Sequence, residues 1–220
     1  MFLSLSKIHS CFDYALTPVI QGSSSLASLG LRLYLAPAFW MAGMNKLSAF
    51  EDTVTWFGNS DWGLGLPLPW LMAALATATE LAGAALLTLG LFTRLISIPL
   101  IVTMLVAIFA VHWDNGWQAI ADAQAPFANE QVVAATEKLE RAQQILQTHG
   151  NYEWLTASGK FVILNNGIEF ATTYLLMLLA LVAMGGGKYH SLDYWLYHWS
   201  LKKGYFLKKW QQILRPDKSE

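Results

Sequence analysis

The chain has 220 residues, 55% hydrophobic and 13% charged, with mean hydropathy +0.37 and 10 tryptophans, too apolar and aromatic for an ordinary soluble domain. The formal charge of −1 hides a split: the segment from Lys188 onward holds seven basic and three acidic residues, whereas 114–160 holds six acidic and three basic. The single cysteine, Cys11, excludes an internal disulfide, a CxxC redox pair and a cysteine metal cluster within one chain.

Residues 1–21 mix Phe2, Leu5, Ile8 and Phe12 with Lys7, His9 and Asp13, the make-up of a short helix lying on a membrane surface. They lack a basic n-region followed by a clean apolar core and cleavage site, so no signal peptide is read there. Pro18 and the Gly22–Ser25 run are expected to break this helix. A first span is expected at about 26–47, with Arg32 in its first third, Lys46 at its far end and a kink at Pro37. Residues 48–67, rich in glycine and acidic side chains, read as a loop with interfacial Trp56 and Trp62.

The second span, about 68–91, is apolar or small throughout except for threonines and Glu80 near its centre. A short turn leads into a third span, about 95–113, so these two are expected to form an antiparallel hairpin. His112, Trp113 and Trp117 mark its exit into the headgroup region. The insertion 114–160 is the least membrane-like part. In it Val132, Ala135, Leu139, Ala142 and Leu146 recur at helical spacing, which predicts a lid helix over 130–148, outside the cytoplasm, with one apolar face. A fourth span is expected at about 167–184, with Glu169 near its start. The tail 188–220 interleaves Trp195, Trp199 and Trp210 with Lys202, Lys203, Lys208 and Lys209. That pattern suits an amphipathic interfacial helix attracted to anionic lipid, and not a nucleic-acid surface.

The expected fold is therefore all-α: a single integral-membrane domain, a four-helix bundle with interfacial amphipathic helices and an extra-cytoplasmic lid. Four spans place both termini on one side, and the distribution of Lys and Arg puts that side in the cytoplasm.

An ionisable group in the middle of a span needs a partner within the protein. With the spans aligned at their centres, Arg32 lies roughly 8 Å and Lys46 roughly 13 Å from the level of Glu80. Arg32 is then the nearer candidate, and an Arg32–Glu80 pair would be a structural lock on helix register. The functional alternative is a polar cavity where Lys46, Glu80, His112 and Glu169 converge to hold a quinone headgroup, a proton or a small polar substrate. No second intramembrane histidine offers a haem ligand, no metal-ligand spacing is found, and no nucleophilic triad or phosphate loop is recognisable.

The runs LRLYLAPAFWMAGMNKL, PLPWLMAALATATELAGAALLTLGLFTRL, VAIFAVHW and GGGKYHSLDYWL, in that order, resemble the signatures of the DoxX family of four-helix bacterial membrane proteins. The HWDNGW stretch is similar in particular to the HvfX branch. The resemblance covers residues 26–118 and 161–196. It puts Arg32, the G-x-x-K of Gly43 and Lys46, Glu80, the G-L-x-T-R turn with Arg94, and Ser191 and Asp193 of S-L-D at family positions. It implies a protein of the cytoplasmic (inner) membrane, linked through its relatives to quinone-dependent redox complexes. Through HvfX it implies a link to the maturation or export of copper-binding modified peptides. On that basis the expected role is an accessory subunit working with soluble or membrane protein partners. The rivals are a quinone-reactive redox subunit and a non-catalytic membrane anchor. Quinone is the cofactor the resemblance implies, and the resemblance supplies neither a catalytic residue nor a defined enzymatic activity.

Overall fold

The computed structural model describes the backbone of residues 5–203 and the side chains of 22–199. The described residues form helices joined by turns, without a β-strand: α1 Leu5–Ser48, α2 Phe50–Gly58, α3 Pro69–Leu89, α4 Thr93–Val106, α5 Glu130–His149, α6 Tyr152–Thr156, α7 Glu169–Met184 and α8 Leu192–Lys203. The chain continues from α4 through a π-helical turn, Ala107–His112, and a 3₁₀ turn, Trp113–Asn115, as one 23-residue apolar rod. At 1.5 Å per residue, the 21 residues of α3 span about 31 Å, the thickness of a hydrocarbon core. These two helices are long and apolar enough to cross a bilayer, and α7 is a shorter apolar helix.

Helices α1, α3, α4 and α7 form a closed ring of contacts: α1 on α3, α3 on α4, α4 on α7 and α7 back on α1. Their common core is Leu35 and Phe39 of α1, Leu87 of α3, Leu100 of α4, and Leu178 and Leu181 of α7. Small residues bring the backbones close: a Cβ on Gly43 would lie 2.8 Å from the Leu81 side chain, and one on Gly83 would lie 2.8 Å from Leu100. The outward faces are apolar, with Leu33, Trp40, Leu75, Leu95, Ile98, Val102, Phe109 and Leu176 all exposed, while Ser28, Arg32, Thr77, Glu80, Thr93 and Ser97 are buried. Polar groups inside and large apolar side chains outside are what lipid demands of a helical protein.

Two expectations are corrected. No break separates a surface helix from the first span, because α1 runs unbroken through Pro18, Gly22–Ser25 and Pro37. The serines there satisfy their hydroxyls on the chain after α7: Ser25 Oγ donates to Lys188 O, and Ser28 Oγ to Gly185 O at 2.6 Å. The supposed loop 48–67 begins with a helix, α2, which packs on α3 with Phe57 buried. Residues 60–68 then turn the chain, with Leu66 N donating to Phe57 O.

The helix predicted over 130–148 forms as α5, N-capped by Asn129 Oδ1 accepting from Val132 N. Val132 and Ala135 are buried, Leu139 and Leu146 half-buried and Ala142 exposed, so the expected apolar face is packed most closely in its first turns. The basic tail beyond Lys203 lies outside the described residues, as do the side chains expected to make residues 1–21 amphipathic.

Candidate functional site

Helices α1 and α3 run antiparallel, and their contacts fix a register. Gly43 faces Leu81, Lys46 faces Glu80, and Arg32 faces Leu87 and Gly90. The centre of α3 is therefore opposed by the end of the first apolar stretch of α1, not by its middle. This overturns the pairing expected from aligned span centres. Lys46 Nζ donates to both carboxylate oxygens of Glu80 at 2.8 Å, and Arg32 sits 14 residues earlier, about 21 Å away along the helix. The Glu80 side chain is 5% exposed and that of Lys46 25%, so the anion is sealed in and the cation reaches the surface of the bundle. Thr77, one turn before Glu80, spends its hydroxyl on Ala73 O, 2.8 Å away.

A groove of about 670 Å³ lies between α1 and α3 on the Arg32 side of this pair, lined by Leu33, Ala36, Pro37, Trp40, Ala84 and Thr88 among others, and neither Lys46 nor Glu80 lines it. Ala84 is one helical turn from Glu80 on the same face of α3, so the groove ends close to the ion pair.

Arg32 belongs to a second cluster at the opposite end of the α1–α3 contact. Its side chain is fully buried, with Nη1 donating to Leu87 O at 3.0 Å and Nη2 to His190 O at 2.6 Å. Leu87 is in the last turn of α3, where its carbonyl accepts the Gly90 N–H at 3.2 Å and a cation at the helix end is favoured. Gly90, with φ +63°, closes α3, and its backbone lies against the guanidinium. Asp193 caps the next helix: Phe92 N donates to Oδ1 at 2.7 Å and Thr93 N to Oδ2 at 3.1 Å, while its own N–H donates to Gly90 O. Ser191 Oγ donates to Gly187 O and accepts from Tyr194 N, starting α8. Arg94 Nη2 donates to Ala183 O at 3.1 Å, near the end of α7. Arg32, the 90–94 turn, the three glycines 185–187 and the S-L-D run thus form one clasp tying the ends of α3, α4 and α7.

His112 and Glu169 join neither cluster. His112 Nδ1 is 2.9 Å from Asn166 O, and Glu169 Oε2 accepts from Ala119 N at 2.9 Å. Both anchor the insertion, where residues 116–121 run beside 163–169 with a single antiparallel bridge, Ile120 to Leu164. Sequence reasoning passed over the amides that hold it. Asn165 Nδ2 donates to Asn115 O and Gln118 O at 2.8 Å each, and Gln118 Nε2 reaches Asp122 O and Pro126 O. The signal was present in the amide-rich flanks NGWQ and LNNG, which bracket the insertion at its two ends. Among the described residues no group of three or more His, Cys, Asp or Glu is arranged to hold a metal ion.

The fold and these clusters define a helical protein with a lipid-compatible exterior and charged residues held inside. Residues 27–113 match the family model DoxX. Over 89 residues the chain is 32% identical to CatD of Bacillus subtilis (strain 168), a protein provisionally named an oxidoreductase, covering 40% of this chain and 62% of that one. Over 96 residues it is 31% identical to the inner membrane protein YphA of Escherichia coli (strain K12), covering 43% and 64% respectively. The chain thus matches just under two thirds of the length of each relative. No solved structure matches it significantly. The family match and the inner-membrane relative support a membrane location, and the match takes in Arg32, Gly43, Lys46, Glu80 and Arg94 but ends before Glu169 and the S-L-D run.

Proposed function

We propose that this chain is a DoxX-type protein of the bacterial inner membrane in which α1, the α3–α4 hairpin and α7 span as a four-helix bundle. In this reading the clasp and both termini face the cytoplasm, and the insertion lies outside. Arg94 and the seven basic residues from Lys188 onward, against Lys46, Lys138, Arg141 and Lys160 at the other end, support that orientation. The functional centre is the Lys46–Glu80 pair, acting as a proton-exchanging, hydrogen-bonding site for the headgroup of a membrane quinone in a redox complex. The observation that carries this reading is a sealed carboxylate bonded to a surface-reaching ammonium, with an apolar groove of about 670 Å³ that ends one helical turn away, at Ala84. An amphiphile with a polar head and a greasy tail fits that combination. The oxidoreductase label of CatD agrees with it. The electrons would pass to or from a partner, and Glu80 would handle the proton.

The test is organic extraction of the purified protein followed by quinone quantification. The expected result is retained quinone in the wild type, and loss of it in Glu80→Gln and Lys46→Gln proteins that still fold. Equal quinone content in folded variants overturns the reading.

A second reading is favoured by the insertion, which is a hydrogen-bonded unit carrying Phe127 and Trp154 at 75% and 73% exposure. Such a surface suits an HvfX-like accessory subunit that holds a copper-binding modified peptide or its maturation enzyme. Co-purification of a peptide or enzyme, lost on replacing both aromatic residues by serine, would select this reading over the quinone site.

A further inference from the structure

A cleft of about 520 Å³ opens at the clasp end, lined by Arg94, Leu95, Gly185, Lys188, Asp193 and Tyr194 among others. We infer that it is a specific site for an anionic phospholipid, whose phosphate is held by Arg94 with Lys188 on the rim and whose acyl chain runs down the outer face of α4. The inference rests on the membrane-spanning part of the proposed function, though not on the quinone site.

Arg94 is exposed and anchored at one point, its Nη2 bond to Ala183 O. A guanidinium has five N–H donors in a planar fork, so one hydrogen bond orients it and leaves the fork able to grip a phosphate in two places. Gly185, with φ +74°, lies against it, and a Cβ there would stand 3.1 Å from Nε. That bare backbone keeps the cleft open beside the guanidinium. The carboxylate in the cleft, Asp193, is already engaged, since both its oxygens accept backbone N–H groups at the start of α4. Its charge is offset by the positive helix end it caps, which limits its repulsion of an incoming anion.

The apolar half is set by periodicity. Leu95 lines the cleft, Ile98 and Val102 follow it along α4 at helical spacing, and Phe109 continues the line in the π-helical turn, exposed at 66%, 54%, 54% and 63%. A cationic head position continuous with an apolar stripe on a transmembrane helix is the arrangement that holds a lipid by both ends.

The experiment titrates the full-length protein in neutral detergent with phosphatidylglycerol, phosphatidylcholine or inorganic phosphate, reading retained lipid by native mass spectrometry and thermal midpoint by tryptophan fluorescence. Phosphatidylglycerol is expected to be retained and to raise the midpoint, phosphatidylcholine to do so more weakly, and phosphate alone to do neither. Arg94→Gln should weaken phosphatidylglycerol retention about tenfold, the loss of one charge-assisted interaction. Lys188→Gln should weaken it less, and Lys138→Gln, in the insertion, should have no effect. Should Arg94→Gln fail to fold, Ile98→Asn tests the site from its lipid stripe. Unchanged retention in folded Arg94→Gln or in Ile98→Asn overturns the site, and an equal response to inorganic phosphate overturns the lipid assignment. Carbonate extraction of cell membranes separates the two levels: release of the protein into the soluble fraction defeats the membrane reading itself, whereas an integral protein with unaltered lipid retention defeats only this site.

Discussion

Arg32 and Gly90 are so closely packed that a Cβ on Gly90 would lie 2.3 Å from the guanidinium Nη1. The glycine is required twice, because its φ of +63° is also a left-handed conformation. Gly90→Ala therefore combines about 1–2 kcal/mol of backbone strain with displacement of a buried cation from its carbonyls. The expected result is a marked fall in thermal midpoint in detergent. Gly90→Asn separates the two causes, since asparagine tolerates the left-handed conformation but still carries the Cβ. If Gly90→Asn is as stable as wild type, the close approach to Arg32 is not what fixes the residue.

Replacing Arg32 tests the clasp from the other side. Its two hydrogen bonds to Leu87 O and His190 O join the end of α3 to the segment before α8, and Nε makes none. Arg32→Lys keeps the charge but has no fork to bridge both carbonyls. Removal of a buried charged hydrogen-bonding group costs about 1.5–3 kcal/mol per bond. Arg32→Met should thus be strongly destabilised and Arg32→Lys intermediate, measured as thermal midpoint and as protease sensitivity at 185–191. Equal loss in both variants would mean that the charge without the fork contributes nothing, whereas wild-type stability in Arg32→Lys would mean that the planar fork contributes nothing.

Asp193 offers a milder lesion. Its carboxylate accepts the N–H groups of Phe92 and Thr93, so Asp193→Asn retains one acceptor while Asp193→Ala leaves both donors unmet. A lost N-cap costs about 0.5–2 kcal/mol. Asp193→Ala is expected to lower stability within that range, with faster hydrogen exchange at the start of α4 and little change at α5.

Much of this was legible because lipid imposes strong rules on sequence. Glu80 is conspicuous in an apolar run, and the apolar stretches beginning near Leu68, Leu95 and Gly167 appear as the helices α3, α4 and α7 within a few residues, the first two long enough to cross a bilayer. The pairing was not legible, because a span predicted from hydropathy has a length but no register. Gly43 lets α1 approach α3 at Leu81, and in that register Lys46, not Arg32, stands against Glu80. The continuity of α1 escaped for a related reason. Gly22–Ser25 reads as a breaker locally, yet Ser25 and Ser28 find carbonyls 157 or more residues away. The insertion is held by Asn165 and Gln118, neutral amides whose importance lies in backbone carbonyls that a sequence does not display.

That amide network makes a separable prediction. Asn165 is 5% exposed and donates to Asn115 O and Gln118 O, so Asn165→Ala removes two hydrogen bonds and leaves these carbonyls with Asn129 Nδ2 and Gly167 N respectively. The expected loss is about 1–3 kcal/mol and local. Hydrogen exchange should rise across 116–130 and in the first turns of α5, while α3 and α4 keep their protection. Uniform loss of protection would show that the insertion and the helix ring unfold as one unit.

The Lys46–Glu80 pair yields the sharpest contrast. Breaking a buried ion pair by removing one partner costs about 3–5 kcal/mol, whereas replacing both partners by apolar groups is often neutral or stabilising. Glu80 is the more deeply buried, so the asymmetry should be visible: Lys46→Met strands a sealed carboxylate, while Glu80→Leu leaves an ammonium that can turn toward the surface. Lys46→Met is expected to be the less stable single variant, and the double variant Lys46→Met with Glu80→Leu to recover most of the thermal midpoint. If the pair serves only to lock the helices, the double variant should also keep whatever phenotype the gene confers. If it serves the proposed quinone site, the double variant should be stable and inactive, with its quinone lost. Stability and phenotype measured on that one protein therefore divide the lock from the site.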